Sequence, residues 1–558
     1  MMKKSSLILS LLLCAASLFA QKADYNIVPL PRSIEADTTK TFTLTADDAI
    51  SIAATAADTE TAQAMERNAA FLHEYLLEEA GLDISIRHAD KKAGIQLRLL
   101  KGKEQIKADT PSPQDAYRIT VNKRGIELAA NTPEGIFRAV QSVRKMLVPA
   151  VGTSYNQHFK NIATNGVKFD YAVINDAPRF AYRGQHLDCA RHFFSTDFTK
   201  RYIDLLAMHG INQFHWHLTD DQGWRFEVKS MPELAKKACR REQTVIGHNC
   251  GIYDATPYGE GCYYTHEEMR DIVKYAAERY VNIIPEIDLP GHMVAALHVY
   301  PELGCTGGPY QVWPIWGVAD DVLCVGNPKT LDFLKKVLSE LCDVFPSPYI
   351  HIGGDESPRV RWKKCPKCQG KMKELGLKRE AELQTYVNKE LENFLAQRGR
   401  SIIGWDETLE GGLSPNAIVM SWRGYEGGIA AAKQKHHVIM TPTSHCYIDY
   451  YQLKNTHDQP LAIGGYLPMS KVYSMEPVPS GLTKEEEQYI MGPQCNLWTE
   501  YVLSPDHVEY MTLPRLAAMC EVQWLLPEAK DFEQFSKRLD RLQQAYRRLN
   551  YKFCRRWE

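Results

Sequence analysis

The sequence predicts an α/β protein: a (β/α)8 TIM barrel over residues 176–558, preceded by a small α+β domain over 21–175. Three observations carry this prediction. From about Ala177 onward short apolar runs alternate with helical patterns, whereas up to Ile174 short β-rich runs mix with two helical stretches. The apolar runs of the second part number eight, over about the length such a barrel needs. Polar residues collect just after those runs end, as happens when many strands share one rim. A doubly wound open sheet is the alternative layout, and no glycine-rich nucleotide loop supports it.

Taken in order, the first twenty residues, MMKKSSLILSLLLCAASLFA, read as a secretory signal peptide cleaved near Ala20. The apolar segment Leu7–Ala20 is short for a bilayer, and Leu13 is larger than the residue that usually precedes a lipid-modified cysteine such as Cys14. Export to the periplasm or the medium is therefore expected, with no membrane span. In the first domain Phe42–Thr45, Ile84–His88 and Ile95–Leu100 read as strands. Tyr117–Val121 and Ile126–Ala129 flank a glycine-ended turn and predict a hairpin. Thr132-Pro133 opens a helix running to Leu147.

The eight barrel strands are read at Tyr182–Leu187, Ile211–Leu218, Val281–Ile287, Tyr349–Ile352, Ser401–Trp405, Ala417–Trp422, His437–Pro442 and Gly492–Trp498. Ser195 caps one intervening helix, which Gly210 closes, and Thr265-His-Glu-Glu268 forms a capping box before another. Composition sets outer limits. The 558 residues are 44% hydrophobic and 24% charged, with a net charge of -2. Such a chain is globular, and with no dense basic block nucleic acid is not an expected partner. Thirteen cysteines follow the leader. Cys365-Pro-Lys-Cys368 has the spacing of half a zinc site, but no second half with ligand spacing adjoins it, so a disulfide or plain loop is favoured over metal. Cys305 and Cys324 bracket a loop and are candidates to pair. No cofactor or metal is expected.

The polar residues that follow the strands are Asp188 and Arg191, Asp220 and Asp221, Asp288 and His292, Asp355 and Glu356, Asp406 and Glu407, Trp422 and Arg423, Asp449, and Trp498 and Glu500. In a barrel they share the C-terminal rim. Three tryptophans, Trp405, Trp422 and Trp498, each end a strand, and aromatic faces suit the C–H faces of a sugar while acids suit its hydroxyls. Asp355 and Glu356 sharpen the reading. Two glycosidase carboxylates ordinarily face each other across the bond, but sequence neighbours on an extended chain point to opposite sides. The pair suits a sugar that brings its own nucleophile, a 2-acetamido oxygen attacking C1. Glu356 would then move the proton, and Asp355 would hold the acetamido N–H.

His351-Ile-Gly-Gly-Asp-Glu356, His215-Trp-His-Leu-Thr-Asp-Asp-Gln-Gly-Trp-Arg225 and Tyr182-Arg-Gly together resemble family 20 of the glycoside hydrolases, the β-N-acetylhexosaminidases. The resemblance covers most of the chain. It implies an exo-acting, retaining, substrate-assisted hydrolase of glycans ending in N-acetylhexosamine, with Asp355 and Glu356 in the roles above. It further implies Arg183 as the grip on the terminal sugar's outer hydroxyls, and Asp288 and His292 as the pair that tunes the acid. Tyr447, Asp449, Trp498 and Glu500 become acetamido and hydroxyl contacts, with His445 and Tyr450 close enough to exchange with Tyr447. Trp405 and Trp422 complete the acetamido walls; Asp406 and Glu407 are loop or supporting residues. Two rival readings are a metal-dependent barrel hydrolase, because His215 and His217 alternate on one strand face, and a sugar-binding protein without turnover.

Overall fold

The computed structural model describes residues 21–53, 58–249, 251–254 and 258–555; the expected leader lies outside them. The chain divides into two compact units, one formed by residues up to 25, 33–105 and 117–175, the other by 26–32, 106–116 and 176–558.

In the first unit the predicted hairpin forms: Tyr117–Asn122 runs antiparallel to Gly125–Ala130, with Asn122 opposite Gly125. Ile95–Leu99 adds in parallel to Gly125–Ala130. The helix Pro133–Met146 starts where Thr132 accepts the Gly135 N–H, and nearly its whole length is buried. Two long strands extend beyond the sequence expectation, Ser33–Leu44 and Val167–Asp176, paired antiparallel with a register shift between Asp37 and Thr41.

The second unit is a closed eight-stranded parallel barrel. Its strands are β1 (Gly184–Asp188), β2 (Gln213–His217), β3 (Asn282–Glu286), β4 (Tyr349–His351), β5 (Ser401–Trp405), β6 (Ile418–Ser421), β7 (Val438–Met440) and β8 (Ile490–Cys495). Each overlaps a predicted run. Closure comes from β8 pairing with β1 through Gln494 opposite Gly184. The helix caps also form as read: Ser195 accepts from Phe198 N–H at 3.2 Å, and Thr265 and Glu268 make a reciprocal capping box.

The barrel interior is filled in layers, as close packing requires. An apolar cluster of Tyr182, Ile284, Ile403, Trp405, Met420 and Ile439 is almost wholly buried. Within the same interior stands a polar group built on one carboxylate. Glu286 on β3 is hydrogen-bonded to His217 at 2.5 Å, and nitrogens of His215 and His351 lie 3.0 and 2.9 Å from its oxygens. The alternation of His215 and His217, read from sequence as a metal-like spacing, thus directs both rings to Glu286. Three histidines around one anion hold it well below its ordinary range, against the burial that would raise it.

Candidate active site

The acid pair stands on a turn whose shape the two glycines permit. After β4 the chain passes through Gly353 (φ 63) and Gly354 (φ 101), both left-handed. A Cβ at Gly353 would overlap the Asp288 carboxylate. That carboxylate accepts the Gly354 N–H at 3.1 Å, and Gln384 donates to the Gly354 carbonyl at 2.6 Å. Glu356 itself has φ 44, a conformation a side-chain-bearing residue adopts only when its surroundings impose it. The turn leaves Asp355 buried and the Glu356 side chain 43% exposed.

His292, also left-handed at φ 51, lies behind both acids. Its Nε2 is 3.8 Å from Asp355 and 3.8 Å from Glu356, while Nδ1 is 3.1 Å from Asp220 and 3.5 Å from Asp221. Burial disfavours the charged ring, yet Asp220, Asp221 and Asp288 raise it well above its ordinary value. The imidazolium therefore sits against the acid pair. Burial, then the charge of Asp355, raises Glu356 above its ordinary carboxylate value, and the same two causes raise Asp288 much further. One member of the doublet is thereby favoured as a proton carrier.

A cavity of about 380 Å³ opens in front of these acids. Trp422, Tyr447, Tyr450 and Trp498 line it, with Asp449, Glu500 and Arg191 as its charged groups. Trp422 stacks on Tyr447 with ring centres 6.0 Å apart, and its indole N–H donates to Glu407 at 2.9 Å. Trp405 lies below, fully buried, donating to Glu286 at 3.1 Å with its ring 5.9 Å from that of Trp498. His445, near in sequence, does not line the cavity, whereas Tyr450 does. Asp355 Oδ1, Asp449 Oδ1 and His292 Nε2 are buried atoms with no hydrogen-bond partner among the described residues. Buried polar atoms are rarely left so; here Asp355 and Asp449 line the cavity, and His292 Nε2 lies 3.8 Å from Asp355.

Arg183 is the sequence expectation that the structure overturns. It precedes β1, at the opposite end of the barrel from the acids, and is completely buried. Its guanidinium is bound to Asp115 at 2.9 Å and to the carbonyls of Gly210 and Phe180, both at 2.8 Å. It has no path to a sugar. The arginine that lines the cavity is Arg191, just past the other end of the same strand. Asp188 at 3.2 Å, Asp220 at 2.8 Å and Gln222 at 2.9 Å fix it, and Glu500 lies 3.9 Å away.

Sequence reasoning also missed walls supplied by loops. Trp316, Asn249 and Tyr501 line the cavity, and Asn249 is tied to the Trp316 backbone by bonds of 2.9 and 3.1 Å. Glu407, read as a loop residue, is pushed up to about 8 by burial and by the nearby charge of Asp355.

Comparison with known proteins gives a consistent answer. Residues 180–526 match the model for glycosyl hydrolase family 20, catalytic domain, and residues 24–177 match that for glycosyl hydrolase family 20, domain 2. A β-hexosaminidase of Porphyromonas gingivalis is 40% identical over 92% of this chain, and the match spans 62% of that relative. One from Vibrio furnissii is 36% identical over 73% of this chain and is spanned to 64%. The chain thus covers a little under two thirds of these two relatives. Among solved structures, a family 20 β-N-acetylhexosaminidase from Streptomyces coelicolor superposes with a TM-score of 0.78 at 27% identity, covering 95% of this chain and 98% of that one. A family 20 exo-β-N-acetylglucosaminidase from Vibrio harveyi, in complex with N-acetylglucosamine, gives 0.78 at 29% identity, covering 97% and 80%.

Proposed function

Starting from the fact that the chain belongs to glycosyl hydrolase family 20, we propose that it is an exo-acting β-N-acetylhexosaminidase. It removes terminal, non-reducing β-linked N-acetylhexosamine from glycans, with retention of configuration. The observation that carries this reading is the adjacent acid pair at the mouth, with His292 3.8 Å from each of its members.

The sugar's own acetamido oxygen attacks C1, the glycosidic C–O bond breaks, and an oxazolinium ring forms. Glu356 gives its proton to the departing oxygen. Its raised affinity for that proton is what a general acid needs near neutrality. Asp355 accepts the acetamido N–H and stabilises the positive charge that develops in the ring. Glu356, now a carboxylate, takes a proton from the water that reopens the ring at C1. Trp422, Trp498 and the deeper Trp405 enclose the acetamido arm, while the Tyr447 hydroxyl donates to its oxygen. Arg191, Asp449 and Glu500 engage the hydroxyls of the terminal sugar. Asp288 and His292 tune the pair from behind.

The similarity to proteins described as β-hexosaminidases supports this reading, as does a walled cavity sized for small-molecule binding. The leader sequence supports action outside the cytoplasm. The test is a panel of aryl glycosides differing at C2 and C4. Rapid release from 2-acetamido compounds, with slow release from 2-hydroxy ones, is expected; equal rates would overturn the mechanism.

A further inference from the structure

Cys305, Cys324, Cys365 and Cys368 come from separate parts of the chain and converge. The pairing of Cys305 with Cys324 considered from sequence is not formed, nor is a Cys365–Cys368 bridge; all four carry free thiols. Cys324 Sγ lies 3.6 Å from Cys365 and 3.7 Å from Cys368, and Cys305 Sγ lies 3.8 Å from Cys368. All four sulfurs are within 4.8 Å of one another. A disulfide needs about 2.05 Å between sulfurs. Four sulfurs around a tetrahedral cation at about 2.3 Å stand about 3.8 Å apart, which matches these three separations of 3.6, 3.7 and 3.8 Å.

We propose that these four cysteines hold one Zn²⁺ as a closed structural site. Loading replaces four thiol protons with one cation, leaving a formal charge of about -2 on the cluster. Its surroundings are suited to that charge. Cys365 and Cys368 lie at the N-terminal end of the helix Pro366–Leu375, where thiolate is favoured, and Lys363, Lys364 and Lys367 flank them in sequence. The Gly326 backbone hydrogen-bonds the Cys368 sulfur, and a Cβ at Gly326 would overlap the Lys367 carbonyl. Only glycine lets the two ligand segments approach this closely. Cys324, Cys365 and Cys368 are buried, so with all four sulfurs bound the cation has no open position for a substrate.

The site joins two pieces of the barrel mouth. Cys305 and Cys324 belong to the connection that follows β3 and carries Trp316; Cys365 and Cys368 belong to the helices that follow the acid pair. Leu323 completes the joint, donating its N–H to the Pro290 carbonyl at 2.9 Å and accepting from the Trp362 indole at 2.9 Å. The cation is thus a staple behind the turn that bears His292.

The test uses the full chain, purified without chelator, reductant or nickel affinity. Elemental analysis should find about one zinc per chain, and peptide mapping should show the four thiols shielded from alkylation until a strong chelator is added. Cys324→Ser should lose the zinc and melt several degrees lower. Should that variant not fold, cobalt exchanged into the unaltered chain should give strong thiolate charge-transfer absorption. Zinc-free protein with these cysteines disulfide-linked or freely alkylated, iron in place of zinc, or no cobalt–thiolate bands would each overturn the proposal.

Discussion

Two arginines flank one strand, and their fates differ completely. Arg183 stands just before β1 and Arg191 just after it. The first is sealed at the floor of the barrel, where Asp115 and two carbonyls satisfy its donors. The second is also nearly buried, held by Asp188 and Asp220, but it lines a cavity together with Glu500. Burial and ion pairing alone do not separate a structural arginine from a binding one. Position along the strand does, because parallel strands deliver all their C-terminal ends to one rim.

If the mouth does the chemistry and the floor only holds the barrel, substitutions at the two ends must fail in different assays. The largest effect is expected from Glu356→Gln, which should lower kcat by ~10²–10⁴-fold with little change in KM on substrates with poor leaving groups. Asp355→Asn should follow, losing on the order of 10²–10³-fold in kcat; steady-state assays on 2-acetamido aryl glycosides check both. The arginines then give the crossed test. Arg191→Lys, which keeps the charge beside Asp188 and Asp220 but gives up the planar fork, should cost roughly 10–100-fold in kcat/KM and less stability than the loss of Arg183. Arg183→Ala strands buried Asp115 and should cost about 3–5 kcal/mol of stability, read by denaturant unfolding, while the folded fraction keeps its KM. A KM change in the floor variant would break the comparison.

The smallest expected effect is a displacement along the pH axis. The His292 cation favours the charged form of Glu356, opposing the burial and the Asp355 charge that raise it. Activity that needs protonated Glu356 is present below its pKa and lost as pH rises through it. His292→Gln removes the cation, so Glu356 should keep its proton to higher pH. The alkaline limb of the kcat/KM profile should therefore move upward; an unmoved or downward limb would refute the assignment.

These contrasts also show where a sequence can be read. All eight barrel strands were legible because each is a short apolar run bounded by polar residues, and the rim was legible because strand ends are. Arg183 was misplaced for a specific reason. Its role rested on the resemblance of Tyr182-Arg-Gly and not on strand position; pairing begins at Gly184, which leaves Arg183 before the sheet, at the end away from the rim. The walls Trp316 and Tyr501 carry no periodic signal, since loops have none. The cysteine cluster was only half legible: Cys365-Pro-Lys-Cys368 has the spacing of half a zinc site, but Cys305, 63 residues before Cys368, lacks ligand spacing to it in sequence. Only the return of the chain past Gly326 brings the halves together.

The overlap that any side chain at Gly353 would make with Asp288 reaches beyond local geometry. It makes the ends of two neighbouring strands interlocking parts, so a change on one must be answered on the other before the chain can close. A lineage exploring new acid chemistry on this scaffold could not remodel the doublet by single steps at that glycine.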